Sequence, residues 1–263
     1  LTMASPSRLQ SQPRVEAQPP VAQEKRLTLT EHLRELRSRL VKAVIALGIG
    51  TILSFLFTER IFRLLLVPAG DIKPVFIEVT EMLTPYFRVA LLSGFILALP
   101  FILYQAVMFV APGLHRRERR WLFTFLPAAG VSFLAGALFG YFVLLPPALK
   151  FLLSFGGDLA TPQIRISNYV NLVLGLMFWL GVVFETPLVM YFLARLGIVS
   201  PQAMGRFRRV FIVLAFVLAA LITPTPDPIN QTLVALPLIV LYEVGVLLAR
   251  LAARARKASS EAA

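Results

Sequence analysis

Apolar residues fall along this chain in long blocks, separated by short stretches rich in Arg, Lys, Pro and Gly. Crossing a bilayer as a helix takes about 20 apolar residues. Six blocks are predicted as spans: Val41–Phe57, Arg88–Val110, Leu122–Leu145, Tyr169–Leu193, Val210–Ile222 and Leu233–Leu248. The last two are short, and 13 helical residues cover only about 20 Å. Ahead of the first span, Leu29, Leu33, Leu36, Leu40 and Val44 recur at helical spacing, opposite Glu31, Arg34, Glu35, Ser38, Arg39 and Lys42. That pattern predicts an amphipathic helix lying at the membrane surface, basic side toward anionic lipid, before the chain turns inward. Thr28 and Glu31 have the form of a capping box at its start, and Glu35 can pair with Arg39 one turn on.

Between the spans, residues 58–86 are too polar to cross and too apolar for a loose linker, which predicts an ordered loop with short helical pieces on the far membrane face. Residues 146–168 form a second such loop. Pro100 should kink the second span, and Gly130, Gly136 and Gly140 should let another helix approach the third closely.

Composition agrees with a membrane protein. The 263 residues are 57% hydrophobic and 15% charged, with mean hydropathy +0.76, where a soluble domain runs at about 45–50% and 25%. The net charge of +12 would suggest nucleic acid in a soluble protein. Here the basic residues sit between spans, with no interleaved aromatic–basic surface, so nucleic acid is not expected as a partner. Eighteen Lys and Arg flank the spans on one side against six on the other, which places both termini in the cytoplasm. Residues 1–26 lack apolar periodicity and an apolar signal-peptide core and are expected to be a disordered cytoplasmic tail. A membrane domain follows over 27–250, then a basic cytoplasmic tail over 251–263. There are no cysteines, and the two histidines, His32 and His115, lack ligand spacing, so no metal or other cofactor is expected.

Four carboxylates are candidates for function. Glu185, in Gly181-Val-Val-Phe-Glu-Thr-Pro187, lies deep in the fourth span, where an ionisable group is expensive and faces protein, water or a partner. Pro187 also frees the carbonyl of Val183. The bland alternative is a helix–helix hydrogen bond that serves packing alone. Glu243, near the inner end of span six, can snorkel. Glu118, in Leu114-His-Arg-Arg-Glu-Arg-Arg120, either receives a cationic ligand or pairs with its four neighbouring arginines. Asp227, after Thr223-Pro-Thr-Pro, either acts in the hairpin between spans five and six or caps span six.

Glu31-His-Leu-Arg-Glu-Leu-Arg-Ser-Arg-Leu40 resembles the opening motif of the TatC family, the polytopic core subunits of the twin-arginine protein translocase. The loop around Glu118, Phe184-Glu-Thr-Pro187, and Thr223-Pro-Thr-Pro-Asp227 with Gln231-Thr-Leu resemble further family motifs in the same order. The resemblance spans about residues 28–250. It implies an all-α bundle of six transmembrane helices, concave and glove-like, in the cytoplasmic membrane, with no enzymatic activity. It implies that Glu35 and Glu118, with Arg37 and Arg39 beside them, bind the twin-arginine signal peptide of folded cargo, as two carboxylates can hold two guanidinium forks. It further implies that Glu185 faces a groove for TatA/TatB-type single-span partners, that several copies assemble, and that the proton-motive force drives transport. Arg165 stands where the family pattern leads one to expect an acidic residue, and no role is given to it.

Two other classes were weighed. An ion-coupled small-solute transporter with Glu185 as proton carrier should show paired repeats, which are not apparent. An intramembrane hydrolase needs a nucleophile and base, or paired aspartates, inside the spans. No phosphate-binding Gly-Lys-Ser/Thr loop is present.

Overall fold

Each apolar block forms a helix, because a helix satisfies its own backbone polar groups where no water can. The computed structural model describes residues 29–70, 74–110, 116–154, 163–223 and 227–261. α1 (Leu29–Phe55) is one unbroken helix, so the amphipathic motif forms the first turns of the spanning helix rather than a separate surface helix. Thr28, its expected cap, lies outside the described residues, as does the 1–26 segment. α1 lies along α3 (Leu83–Val110), which continues helically through Pro100. The two helices touch at Gly50 and Gly94, where a Cβ on either would strike the other backbone, and the Ser54 and Ser93 hydroxyls hydrogen-bond beside that contact. Bare backbone is what permits this approach.

The described part of the segment between α1 and α3 holds short helical pieces, as the sequence predicts. α2 (Thr58–Leu66) and a 3₁₀ turn (Val67–Ala69) bury Phe62, Leu65 and Ala69 in the core. Carbonyls at the end of a helix lack helical partners. Tyr141 donates to the Leu64 carbonyl at 2.5 Å and Tyr169 to that of Leu65 at 2.6 Å, fastening α2 to the bundle.

Three spans differ from their predicted limits. The third runs through α4 (Arg116–Phe139), a π-helical turn (Gly140–Leu144) and α5 (Leu145–Ser154), so 146–154 is helix rather than loop. Leu145 donates to the Gly140 carbonyl five residues back. That widens the turn just where Pro146 and Pro147 have no N–H to give. The fourth span is two helices, α6 (Ile166–Phe184) and α7 (Thr186–Leu196), meeting at Glu185. The sixth is not short: α9 (Pro228–Glu261) has 34 residues. It runs through Pro237 and through the segment set apart as a basic tail from 251, with Ala249 and Ala252 buried.

α4 packs on α6 through Gly136 and Gly140, where a Cβ would meet Leu180 and Phe184 or Leu176 and Leu180. Gly181 answers from α6 against the Phe133 ring, whereas Gly130 faces open space. α8 (Pro201–Ile222) and α7 both pack on α9. One buried cluster joins α2, α3, α5, α6, α8 and α9 around Tyr169, Leu180 and Leu238. A second, around Met190, Tyr242 and Val246, holds α7 to α8 and α9. Among the described residues five stretches, starting at Thr30, Leu83, Phe125, Ile166 and Pro228, are long and apolar enough to cross a membrane unaided. α8 makes the sixth crossing, with arginines at 206, 208 and 209 leaving 13 apolar residues.

Candidate functional site

Of the motif on α1, His32, Glu35 and Arg39 face the protein, and the apolar stripe does not. Arg39 donates to Oε1 of Glu35 from Nε at 3.0 Å and Nη2 at 2.7 Å, and from Nη1 to Oε1 of buried Gln105 on α3 at 3.3 Å. His32 stacks on Phe109 of α3, ring centroids 4.4 Å apart. Leu33, Leu36, Leu40 and Val44 are exposed on the other side. The expected orientation therefore fails for Arg39, which α1 carries into the bundle interface, where Gln105 and the Glu35 carboxylate receive it, while Arg34, Arg37 and Lys42 stay exposed. Arg37 is exposed and is not brought into the cluster. The Glu35 side chain is 22% accessible, and both of its hydrogen bonds go to Oε1. Among the described residues none donates to Oε2.

Glu118 falls in the first turn of α4, which begins six residues after α3 ends and so lies at the same end of the bundle as Glu35. Its side chain lies outside the described residues, as does His115. The fold brings Glu35, Arg39 and Gln105 together and sets the backbone of 118 at their end.

Glu185 is the junction of α6 and α7. Its N–H donates to the Val182 carbonyl at 3.1 Å, and its own carbonyl accepts from Val189 at 2.9 Å. Pro187, buried against Gly245 of α9, withholds the N–H that Val183 would otherwise receive. At this break Ser132 of α4 donates to the Phe184 carbonyl at 2.7 Å. The side-chain Oε1 of Glu185 is buried with no hydrogen-bond partner among the described residues. A lone carboxyl oxygen in that state is costly unless something else reaches it.

Asp227 and Glu243 are each bonded within the fold. Asp227 caps α9: its Oδ1 accepts the Asn230 N–H at 2.7 Å and its Oδ2 the Asn230 amide at 3.0 Å, ahead of Pro228 at the first helical position. The hairpin residues 224–226 lie outside the described set. Glu243 does not snorkel freely. It forms a two-pronged ion pair with Arg208 of α8, at 2.5 Å and 2.7 Å.

Gln105, Ser132 and the Glu81–Arg165 pair were not singled out from sequence. A lone Gln and a lone Ser inside apolar blocks were the available signals for the first two. Arg165 bonds to Glu81 at 2.8 Å and to Glu78 at 2.9 Å, and Ser167 donates to Glu81 at 2.8 Å. Val75 and Ile164–Ile166 exchange two backbone hydrogen bonds alongside, at 2.8 and 2.9 Å. This knot ties the two loops of the less basic face together. Burial alone would raise the Glu81 carboxyl. The Ile77 N–H, Arg165, Ser167 and the Glu78 N–H outweigh it and hold the group at about 2.

These features define a multi-pass helical membrane protein with one polar cluster at its basic end and one carboxyl at a helix break inside the spans. Residues 31–237 match the family model described as Sec-independent protein translocase protein (TatC). The TatC protein of Carboxydothermus hydrogenoformans is 40% identical over 87% of this chain and 95% of its own. That of Aquifex aeolicus is 41% identical over 88% and 98%. A crystal structure described as the twin arginine translocase receptor TatC superposes with TM-score 0.75 at 41% identity, covering 84% of this chain and 99% of that one. The chain belongs to the TatC family. It is a non-enzymatic, multi-pass subunit of the Sec-independent translocase, and a small-solute transporter is not favoured.

Proposed function

We propose that this chain receives twin-arginine signal peptides at its basic end, with Glu35 and Glu118 accepting the two guanidinium groups. The observation that carries this reading is the Glu35 carboxylate, half-buried, held in place through Oε1 by Arg39 and open at Oε2. A carboxylate fixed by one arginine is pre-organised for a second, and a charge-assisted bond at such a site is stronger than at an open surface. Arg39, braced by Gln105, acts as a positioning residue, and Arg37 supplies only surface charge. The excess of Lys and Arg at this end supports placing it, with both termini, on the cytoplasmic side of a cell's inner membrane. The TatC structures with which the chain superposes are described as receptors, which supports the same reading. TatA/TatB-type single-span helices would dock near Glu185, several copies would assemble, and the proton-motive force would drive passage of folded cargo.

The test is capture of the detergent-solubilised protein by an immobilised twin-arginine signal peptide, with a twin-lysine peptide as control. Glu35→Gln and Glu118→Gln should each weaken capture on the order of tenfold, as expected for losing a hydrogen bond to a charged group of about 1.5–3 kcal/mol. Undiminished binding by both variants at low salt would overturn the assignment.

A further inference from the structure

Where α7, α8 and α9 end together, the structure holds a cavity of about 1160 Å³ that neither candidate site uses. Arg206 and Arg208 of α8 and Arg250, Arg254 and Arg256 of α9 line it, and no acidic residue does. Arg208 is committed to Glu243. Arg206, Arg250 and Arg254 have no ion-pair partner among the described residues. The N-terminal turn of α8, capped by Ser200 through the Ala203 N–H, opens onto the same space and adds the positive end of a helix dipole. Gly197 ends α7 in the left-handed conformation (φ +76°), and the Arg256 guanidinium occupies the space a Cβ there would need. The turn is thus shaped to bring Arg256 against it.

Below this cavity lies a mostly apolar groove of about 540 Å³ along α8, lined by Ile212, Val213, Phe216, Val217, Ala220 and Leu221, with Gln231 of α9 at its far end. Arg206, Val213, Val217 and Ala220 follow at spacings of seven, four and three, so they share one face of the helix. A cationic cavity set directly above an apolar channel on one helix face matches a molecule with an anionic head and hydrocarbon tails. A soluble anion would use the first part and leave the second unexplained. Clusters of arginine between helices at a membrane surface are suited to such headgroups.

We propose that this cavity is a binding site for an anionic phospholipid, its phosphodiester held by Arg206, Arg250 and Arg254 and its acyl chains lying along α8. The lipid would then brace the ends of α7, α8 and α9, independently of signal-peptide capture at Glu35.

The purified full-length protein, stripped of lipid in detergent, is titrated with phosphatidylglycerol or phosphatidylcholine, and retained lipid is read by native mass spectrometry. Phosphatidylglycerol should be retained selectively by the wild type. The double variant Arg206→Gln/Arg254→Gln should retain it more weakly, on the order of tenfold or beyond. Arg60→Gln/Arg63→Gln, which removes the same charge at the opposite end, should behave as wild type. Inorganic phosphate at millimolar concentration should not displace the lipid. Equal retention of the two lipids by the wild type needs no mutant to interpret and would overturn the proposal. So would unchanged retention in the double variant, an equal loss in the control variant, or displacement by phosphate alone. A loss of lipid selectivity with normal signal-peptide capture would leave the Glu35 assignment standing, so the two readings fail separately.

Discussion

Glu81 and Arg165 show how a residue that departs from the family pattern can still be placed by its contacts. The Glu81 side chain is only 3% accessible, yet backbone, guanidinium and hydroxyl donors converge on it. Its folded value near 2 lies below the ordinary 4.5. The stabilisation it brings is therefore complete above about pH 4.5 and is lost as the pH falls through 2. We expect the thermal midpoint of the detergent-solubilised protein to drop across that interval. Glu81→Gln should lower the midpoint at neutral pH and flatten the acid limb, because the variant has no proton to take up there. An acid limb as steep as that of the wild type would assign the loss to other carboxylates. Sequence reading left Arg165 without a role because its partners, Glu78 and Glu81, lie more than 80 positions away, and only the paired backbones of Val75 and Ile164–Ile166 bring them together.

Among the elements, the legible ones were those whose signal is local. Apolar block length marked every crossing, and glycine spacing located the α4–α6 contact at Gly136 and Gly140. What stayed hidden depended on partners across helices. Pro146 and Pro147 read as a loop because the relieving π turn cannot be seen in composition. The basic residues after Leu248 read as a tail because the support from α7 is tertiary. Glu35 was legible as a candidate, but Gln105 and the direction of the α1 polar face were not, since helical periodicity says which residues share a face and not what that face meets. The α6–α7 break was half legible: Glu185 and Pro187 announced it, and Ser132 completed it from another helix. That break leaves the buried Oε1 of Glu185 without a partner among the described residues. A docking single-span helix with one polar group would supply what is missing. Glu185→Ala should therefore change cross-linking from position 185 and from α8 to a TatA/TatB-type helix while leaving signal-peptide capture intact. Glu185→Gln, which can still hydrogen-bond, should be milder. An unchanged pattern in Glu185→Ala would leave the carboxyl a packing feature, and equal transport failure in both variants would point to its proton instead.

At the scale of the whole molecule, the two sides of the bundle meet the membrane differently. α1 presents an apolar wall from Leu33 to Phe55, exposed through most of its length. α8 offers only Val210–Ile222, about 20 Å of apolar helix, against a hydrocarbon core of about 30 Å. Arg206, Arg208 and Arg209 stand immediately above that stretch, and the helix ends immediately below it at Ile222. Long arginine side chains can reach outward to the headgroups, while the lower end of the helix stops at Ile222. The bilayer must therefore thin beside α8, at a modest cost per ångström of mismatch. α9 does not share this demand, since its helix continues well past Leu248. We expect spin labels on Val213 and Val217, which are 65% and 51% accessible and face outward, to report a maximum depth shallower than labels on Ile49 and Ile52 of α1. The measurement is collisional accessibility to oxygen against a water-soluble relaxant, in bilayers of ordinary thickness. Raising acyl-chain length should widen the gap between the two helices, because α8 cannot lengthen its apolar stretch. The same maximum depth on both helices, unchanged with chain length, would mean that the apolar limits of α8 are wider than its arginines allow.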